Sequence, residues 1–201
     1  MRRLPVPIHH HWRNTTEVPV QRGFVAINAR VAGKNYRIVN THLEVREPQP
    51  GNPISQVFQA AQAFELIGVL RATTPIGKSL LVLGDFNSSP EDAGVPGPLP
   101  LPEPFDQGLV PPYQQLAAAG YTDGWTLRWH VRPGFTCCQA EDLLNENSQL
   151  YERIDLILSW PAPARVEDIR VVGTKHWDKT RPPAPRLWPS DHGAVAAELR
   201  F

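Results

Sequence analysis

The chain has 201 residues, of which 41% are hydrophobic and 20% charged, an ordinary composition for one globular domain. Its 20 basic and 20 acidic residues cancel, so no net field draws it to polyanions or membranes. No apolar run reaches the roughly 18 residues that cross a bilayer, and the start, MRRLPVPIHHHWRN, lacks the apolar core of a signal peptide. These features predict neither a membrane span nor secretion, and they leave the compartment open.

The first part of the chain predicts two strands, a helix and a third strand. Residues 22–45, RGFVAINARVAGKNYRIVNTHLEV, favour two strands around a turn at Gly33 and Lys34. A helix follows, with Asn52 suited to the N-cap and Pro53 to the first helical position. Its apolar residues recur at helical spacing and are Val57, Ala61, Phe64, Ile67 and Leu70. LLVLGD is a continuous apolar run, which is typical of a strand covered on both faces.

Proline and glycine dominate residues 90–112, so this stretch is interpreted as a loop excursion from the domain. A short helix over YQQLAAAG is expected to end at Gly120. Three further strands are predicted over ERIDLILS, VEDIRVVG and HGAVAAELRF. The predicted domain covers residues 23–201, and residues 1–22 are an N-terminal extension or remnant.

The two cysteines, Cys137 and Cys138, are neighbours in the chain. A bond between adjacent cysteines closes a strained ring, so we expect no disulfide framework. No second cysteine pair is present to complete a zinc site, and core packing or a local redox role is favoured for the two thiols.

Polar residues recur at one kind of position, in or at the end of a predicted strand. They are His42, Asp85, Asn87, Asp155, Asp191 and His192. A half-buried carboxylate is costly unless a cation or a donor compensates it, so the set predicts a metal or an anionic substrate. Taken alone, Asp85 is more often a turn or cap residue, and Arg153 is a candidate structural partner for Asp155.

Four ordered blocks carry a family resemblance: NTHLE at 40–44, GDFNSSPED at 84–92, ERIDLIL at 152–158 and SDHGAV at 190–195. Together they resemble the endonuclease/exonuclease/phosphatase superfamily, which includes deoxyribonucleases, exonuclease III-type enzymes, inositol-polyphosphate phosphatases and neutral sphingomyelinases. The resemblance implies a four-layer α/β sandwich, with two mixed, largely antiparallel sheets packed face to face and helices outside. It also implies metal-assisted hydrolysis of a phosphate ester.

The resemblance assigns roles residue by residue. His192 is implied as the general base that activates water, with Asp155 orienting it. Asp191 is implied as a ligand of Mg²⁺ or Mn²⁺, and Asp85 as a catalytic residue that positions the water or a metal. Asn87 is implied as a donor to a phosphoryl oxygen. His42 is implied to bind the phosphate or to assist the leaving oxygen.

The chain departs from the family pattern before NTHLE. Members of the family begin with a strand ending in asparagine and then a glutamate in a QE-type motif, and Glu17 lacks that context. We therefore expect an N-terminally truncated version of the fold. Two hypotheses follow: a phosphodiesterase or phosphomonoesterase acting on a phosphate ester, with nucleic acid among its substrates, or a noncatalytic binding module or incomplete fragment. The oligomeric state is left open.

The loop before SDH is rich in aromatic and basic residues: Lys175, Trp177, Lys179, Arg181, Arg186 and Trp188. Such groups stack on a base or bind a phosphate in a substrate-facing loop. They equally suit a solvated loop held together by its own tryptophans. The sequence leaves both interpretations open.

Overall fold

Residues 2–3, 22–47, 53–128 and 133–201 are described by the computed structural model. Within these ranges the chain forms ten strands, two α-helices and two short 3-10 helices. The strands are β1 (Arg2–Arg3), β2 (Gly23–Val31), β3 (Lys34–His42), β4 (Ser79–Asp85), β5 (Val95–Pro96), β6 (Gly108–Leu109), β7 (Thr122–Asp123), β8 (Asp155–Trp160), β9 (Arg165–Val172) and β10 (Ala194–Arg200). The α-helices are α1 (Ile54–Thr73) and α2 (Pro112–Ala118), and the 3-10 helices are Gly124–Leu127 and His176–Asp178.

One mixed sheet has the strand order β1-β2-β3-β4-β8-β7. Strands β3 and β4 are parallel, and the other neighbours in this sheet are antiparallel. A parallel pair needs a crossover, which α1 supplies between β3 and β4. The tight connection of β2 to β3 lies at Ala32 and Gly33, whose φ angles of 49° and 82° are those of a two-residue hairpin turn. The turn was predicted one residue later, at Gly33 and Lys34.

The core lies between this sheet and both α-helices. Its buried members include Phe24, Val39, Leu43, Leu66, Leu70, Leu80, Val82, Phe86, Leu116, Leu156 and Leu158. Because alternate residues of a strand point to opposite faces, β4 contributes Leu80 and Val82 to one side. A second sheet, the β9–β10 hairpin, contacts β8. The predicted mixed α/β class, with a central multistrand sheet and helices, is confirmed.

Helix α1 differs from its prediction in two respects. Pro53 is its N-cap and not its first residue, while the proposed cap Asn52 lies outside the described residues. Its buried face includes Gln59 and Gln62, and the predicted apolar residue Phe64 is 55% exposed. Phe64 instead packs edge to face on Phe105, with 5.9 Å between the ring centroids. The Pro-rich segment is thereby held against α1.

The remaining elements follow the sequence more closely. Helix α2 ends at Ala118, and Gly120 follows it in the left-handed conformation with φ of 92°. Strand β8 starts at Asp155, three residues later than the predicted strand, because Glu152 forms an isolated bridge with Cys137. The predicted loop at 90–112 includes a short antiparallel pair, β5 and β6. None of the helices that the structure describes is long and apolar enough to cross a membrane.

Candidate active site

The register of three neighbouring strands brings polar residues together at one edge of the sheet. His42 lies opposite Asp85 across the parallel pair β3 and β4. Asp85 lies opposite Asp155 across the antiparallel pair β4 and β8. Gly84 allows this approach, because a Cβ there would collide with the backbone oxygen of Thr41 and its φ of 140° disfavours any side chain. A constellation scattered over 114 positions of the sequence thus becomes a row across three strands.

His192 completes this row from the segment before β10. Its Nδ1 lies 2.8 Å from Asp155 Oδ2, and both side chains are about one quarter exposed, at 24% and 23%. This bond to Asp155 raises the pKa of His192, burial opposes the shift, and the charges of Asp155, Asp85 and Asp191 reinforce it. The imidazole therefore has a fixed orientation, with Nδ1 toward the carboxylate and Nε2 on the opposite side of the ring.

Asp85 lies between two titratable neighbours. Burial raises its pKa, the backbone N–H of Asn87 that donates to Oδ1 at 2.8 Å lowers it, and nearby Asp155 raises it further. His42 approaches from the other side, with Nε2 3.3 Å from Asp85 Oδ2. Ligand atoms of Asp85, Asp155 and His192 all lie within 4.8 Å of one another. Two carboxylates this close to one another favour a bound cation.

The last two predicted residues, Asn87 and Asp191, lie beside this cluster. Asn87 has a left-handed backbone with φ of 47°, and its Nδ2 donates to the carbonyl of Leu43 at 3.0 Å. Asp191 is exposed at the rim, where Ser190 Oγ donates to its Oδ1 at 3.0 Å. The structure therefore brings His42, Asp85, Asp155 and His192 together, places Asn87 at their edge, and leaves Asp191 at the periphery.

The sequence model of the endonuclease/exonuclease/phosphatase family matches residues 2–192, which is most of the chain. The chain belongs to this family. Homologues in the endonuclease/exonuclease/phosphatase family hydrolyse phosphoester bonds, and the residues of this chain include groups suited to hold a metal ion. No curated protein matches the sequence significantly.

Solved structures share the family fold. A mannosyl-6-phosphatase of Bacteroides thetaiotaomicron aligns over 94% of this chain and 60% of its own, with a TM-score of 0.60 and 18% identity. A truncated TDP2 of Caenorhabditis elegans aligns over 100% of this chain and 66% of its own, with a TM-score of 0.58 and 18% identity. This chain spans less than two thirds of the length of either structure, and identities this low establish the fold alone.

Sequence reasoning missed the residues that hold the site loops of this family member in place. Gln59 is 2% exposed, and its Nε2 donates to the carbonyls of Glu44 and Asn87 at 2.8 and 2.7 Å. Gln62 accepts from the backbone N–H of Glu44 at 2.8 Å. Thr136 Oγ1 accepts from the N–H of Asp155 at 3.1 Å. The available signal was two glutamines, Gln59 and Gln62, within a helix that was predicted to pack against the core.

Replacing Gln59 by methionine is expected to lower the free energy of unfolding by about 1–3 kcal/mol, because two backbone carbonyls then lose a buried donor. Urea unfolding measures this change. Gln56→Met is the matched control on the same helix, since the Oε1 of Gln56 accepts from its neighbour Ser55. Equal midpoints for the two variants would contradict the assigned role of Gln59.

One expectation was wrong in detail, and the structure bears on one question that the sequence left open. Arg153 is not the partner of Asp155, because it precedes β8 and its Nη1 pairs with Asp123 at 2.6 Å. In the loop before His192, Trp188 is 2% exposed and Lys179 6% exposed. Lys179 Nζ lies 4.6 Å from the Trp188 ring and donates to backbone carbonyls, so this pair matches the interpretation of a loop held together by its own tryptophans.

The sulfur atoms of the adjacent Cys137 and Cys138 are joined to each other, and this bond links no separate segments of the chain, so it is not a disulfide framework. The peptide bond between them is cis, and their Cα atoms lie 3.1 Å apart.

Asp155→Asn is expected to bring the pKa of His192 down toward the ordinary histidine value, because the variant removes the carboxylate that holds the imidazolium. Because the pKa of His192 is raised in the fold, the pair with Asp155 also affects stability. It stabilises the fold fully at pH values below the ordinary histidine pKa, and this stabilisation is lost as the pH rises through the raised pKa. NMR titration of the metal-free chain measures the pKa, with His176 as the internal control. An unchanged His192 titration would contradict the pairing.

Proposed function

We propose that this chain is a divalent-metal-dependent phosphodiesterase in which His192 and Asp155 activate water. The observation that carries the proposal is the 2.8 Å contact from His192 Nδ1 to Asp155 Oδ2 beside Asp85. A general base has to present one nitrogen to water while the other is fixed, and this contact fixes Nδ1. The Nε2 of His192 then accepts the proton of the attacking water.

Asp155 supports this proton transfer in two ways. As an acceptor it keeps the proton of neutral His192 on Nδ1, so Nε2 retains its lone pair. As an anion it stabilises the imidazolium that forms when Nε2 takes up a proton. The base is active in its neutral form, so the rate is expected to rise as the pH increases through the raised pKa of His192.

The donor set suits a hard divalent cation. Asp85 and Asp155 supply carboxylate oxygens within 4.8 Å of each other, and the raised pKa of Asp85 reflects burial and that proximity. Mg²⁺ prefers oxygen ligands and keeps several waters, so one or two carboxylates hold it. Asp85 would hold the ion, Mg²⁺ or Mn²⁺, with Asp191 as a second ligand at the rim. The bound ion would neutralise negative charge on the phosphoryl group.

His42 and Asn87 are proposed to bind the phosphate. His42 has a side chain that is 55% exposed next to Asp85, which leaves room for a ligand at the ring. Asn87 uses one amide hydrogen on Leu43, and the second remains to donate to a phosphoryl oxygen. Donors placed around a phosphoryl group stabilise the charge that develops on it during hydrolysis.

The substrate is proposed to be a phosphodiester, with nucleic acid among the candidates and phosphomonoesters as the alternative. A cleft lined by Trp125, Phe135, Arg170 and Lys175 lies near the site. Val171 and Thr174 also line it, and they approach Gly193, next to His192, so closely that a side chain at Gly193 would collide with them. Aromatic and cationic side chains are suited to contact a nucleobase or a sugar attached to the phosphate. A mannosyl-6-phosphatase among the similar structures supports the monoester alternative.

Removing divalent metal is expected to abolish hydrolysis of a chromogenic phosphodiester by the wild-type chain, and added Mg²⁺ or Mn²⁺ is expected to restore it. Calorimetry with Mn²⁺ is the second readout, and Asp85→Asn is expected to weaken binding because it removes a carboxylate that is only 16% exposed. Asp106→Asn, in the Pro-rich segment, is the matched control. A folded chain that binds no divalent ion and turns over neither ester would instead support the noncatalytic binding module.

A further inference from the structure

The two adjacent cysteines lie directly against the proposed general base. Cys138 Sγ is 3.9 Å from His192 Nε2, and the sulfur atoms of Cys137 and Cys138 and a nitrogen of His192 all lie within 4.8 Å of one another. Cys137 is 4% exposed, whereas Cys138 and His192 are half-buried. Two sulfur donors and one imidazole therefore share a location that opens to solvent on one side.

Backbone hydrogen bonds fix this arrangement. Cys137 forms an isolated antiparallel bridge with His192. The N–H of Gly193 donates to the carbonyl of Thr136 at 2.7 Å, and the N–H of Gln139 donates to the carbonyl of Asp191 at 2.7 Å. The cysteine pair is thus bracketed by bonds to both sides of His192. The backbone segments that carry the cysteines and His192 are therefore paired directly.

The donor chemistry differs from that of the carboxylate cluster. Thiolate sulfur and imidazole nitrogen are ligands of Zn²⁺ and other thiophilic ions, whereas Mg²⁺ prefers oxygen. Asp155 occupies Nδ1 of His192, which orients Nε2 in the way that a carboxylate behind a ligating histidine does at zinc sites. Three protein ligands leave a fourth tetrahedral position for water.

We propose that reduced Cys137 and Cys138 form, with His192 Nε2, a binding site for a thiophilic divalent ion such as Zn²⁺, and that the bound ion blocks the general base. The site requires the disulfide to be opened by a dithiol reductant. One S–S bond breaks, two cysteine thiols form, and the reductant becomes a cyclic disulfide. Metal binding then releases the two thiol protons to solvent. The blocking effect rests on the proposed function, whereas the metal site does not.

Cobalt is the spectroscopic probe for this site, because thiolate ligands give Co²⁺ an intense charge-transfer absorption. The full-length chain is reduced with a dithiol, freed of reductant without air, and titrated with Co²⁺. We expect the absorption to saturate at one ion per chain and to disappear in the Cys137→Ser/Cys138→Ser variant. Asp155→Asn is expected to weaken binding about 10- to 100-fold, as loss of a carboxylate behind a ligating histidine does.

Asp85→Asn separates this site from the oxygen cluster, since it alters the proposed Mg²⁺ ligand and leaves both sulfur donors in place. This variant is expected to keep the charge-transfer absorption. Absence of the absorption in the reduced wild-type chain would overturn the proposal. An absorption that persists in the double serine variant would also overturn it.

Inhibition tests the link to the base. With Mg²⁺ in excess, Zn²⁺ is expected to inhibit hydrolysis by the reduced wild-type chain at least tenfold more strongly than by the Cys137→Ser/Cys138→Ser variant. Each rate is compared with that of the same protein without zinc. Equal inhibition of the two proteins would overturn the proposal that the zinc site and the general base share His192 Nε2. If no protein hydrolyses the ester, the proposed function fails and the cobalt spectrum still decides the metal site.

Discussion

His192→Ala is expected to lower kcat for phosphodiester hydrolysis by about 10²- to 10⁴-fold, the range that positioned acid or base groups contribute. The variant removes the only ring held against Asp155 among the described residues, so water loses its proton acceptor. Steady-state kinetics with a chromogenic phosphodiester in Mg²⁺ measures the change. KM is expected to change little, because substrate contacts are assigned to His42 and Asn87.

His176→Ala is the matched control for this variant. His176 is exposed in the 3-10 helix of the preceding loop, so its loss removes an imidazole without touching Asp155. We expect its kcat to equal that of the wild type. If His192→Ala retained wild-type kcat in a folded protein, water activation by this imidazole would be rejected.

Arg153→Met is expected to lower the free energy of unfolding by about 3–5 kcal/mol, because it leaves the carboxylate of Asp123 buried without its cation. The two side chains are 7% and 5% exposed, and Arg153 Nη1 lies 2.6 Å from Asp123 Oδ2. Tyr113 donates to the same oxygen at 3.1 Å, and the N–H of Trp125 donates to Oδ1 at 2.9 Å. The network joins the segment before β8 to β7, to α2 and to the 3-10 helix after β7.

Two further variants test this assignment by urea unfolding. Arg165→Met removes an arginine that is 72% exposed and paired with Glu167, and it is expected to cost no more than about 1 kcal/mol. Combining Arg153→Met with Asp123→Asn is expected to recover part of the loss, since the buried charge is then removed. A single Arg153→Met variant as stable as Arg165→Met would show that the pair does not hold these elements together.

The parts of the fold that the sequence predicted are those with strong local patterns. The β2–β3 hairpin, the apolar strand β4 and the crossover helix α1 all have an arrangement of apolar and turn residues that depends on neighbours in the chain. The family resemblance then related His42, Asp85, Asp155 and His192 to one another. Their contacts depend on register across three strands, which a single sequence does not specify.

The errors arose where tertiary contacts overrode local pattern. The buried face of α1 was misplaced because Gln59 and Gln62 are polar, yet they are buried by hydrogen bonds to distant backbone groups. Phe64 was assigned to the core because its only visible property was hydrophobicity, whereas its partner is Phe105 in the Pro-rich segment. Arg153 was matched with a nearby acid in sequence, while its partner Asp123 lies 30 positions earlier.

The measurement that tests the central proposal most directly is hydrolysis of a phosphodiester in heavy-oxygen water by the wild-type chain with Mg²⁺. Water activated by His192 attacks phosphorus, so the account predicts that the phosphate-containing product carries one heavy oxygen and that chelator abolishes its formation. Mass spectrometry of that product gives the result. A product without the label, or no product from a folded and metal-supplied chain, would contradict the account.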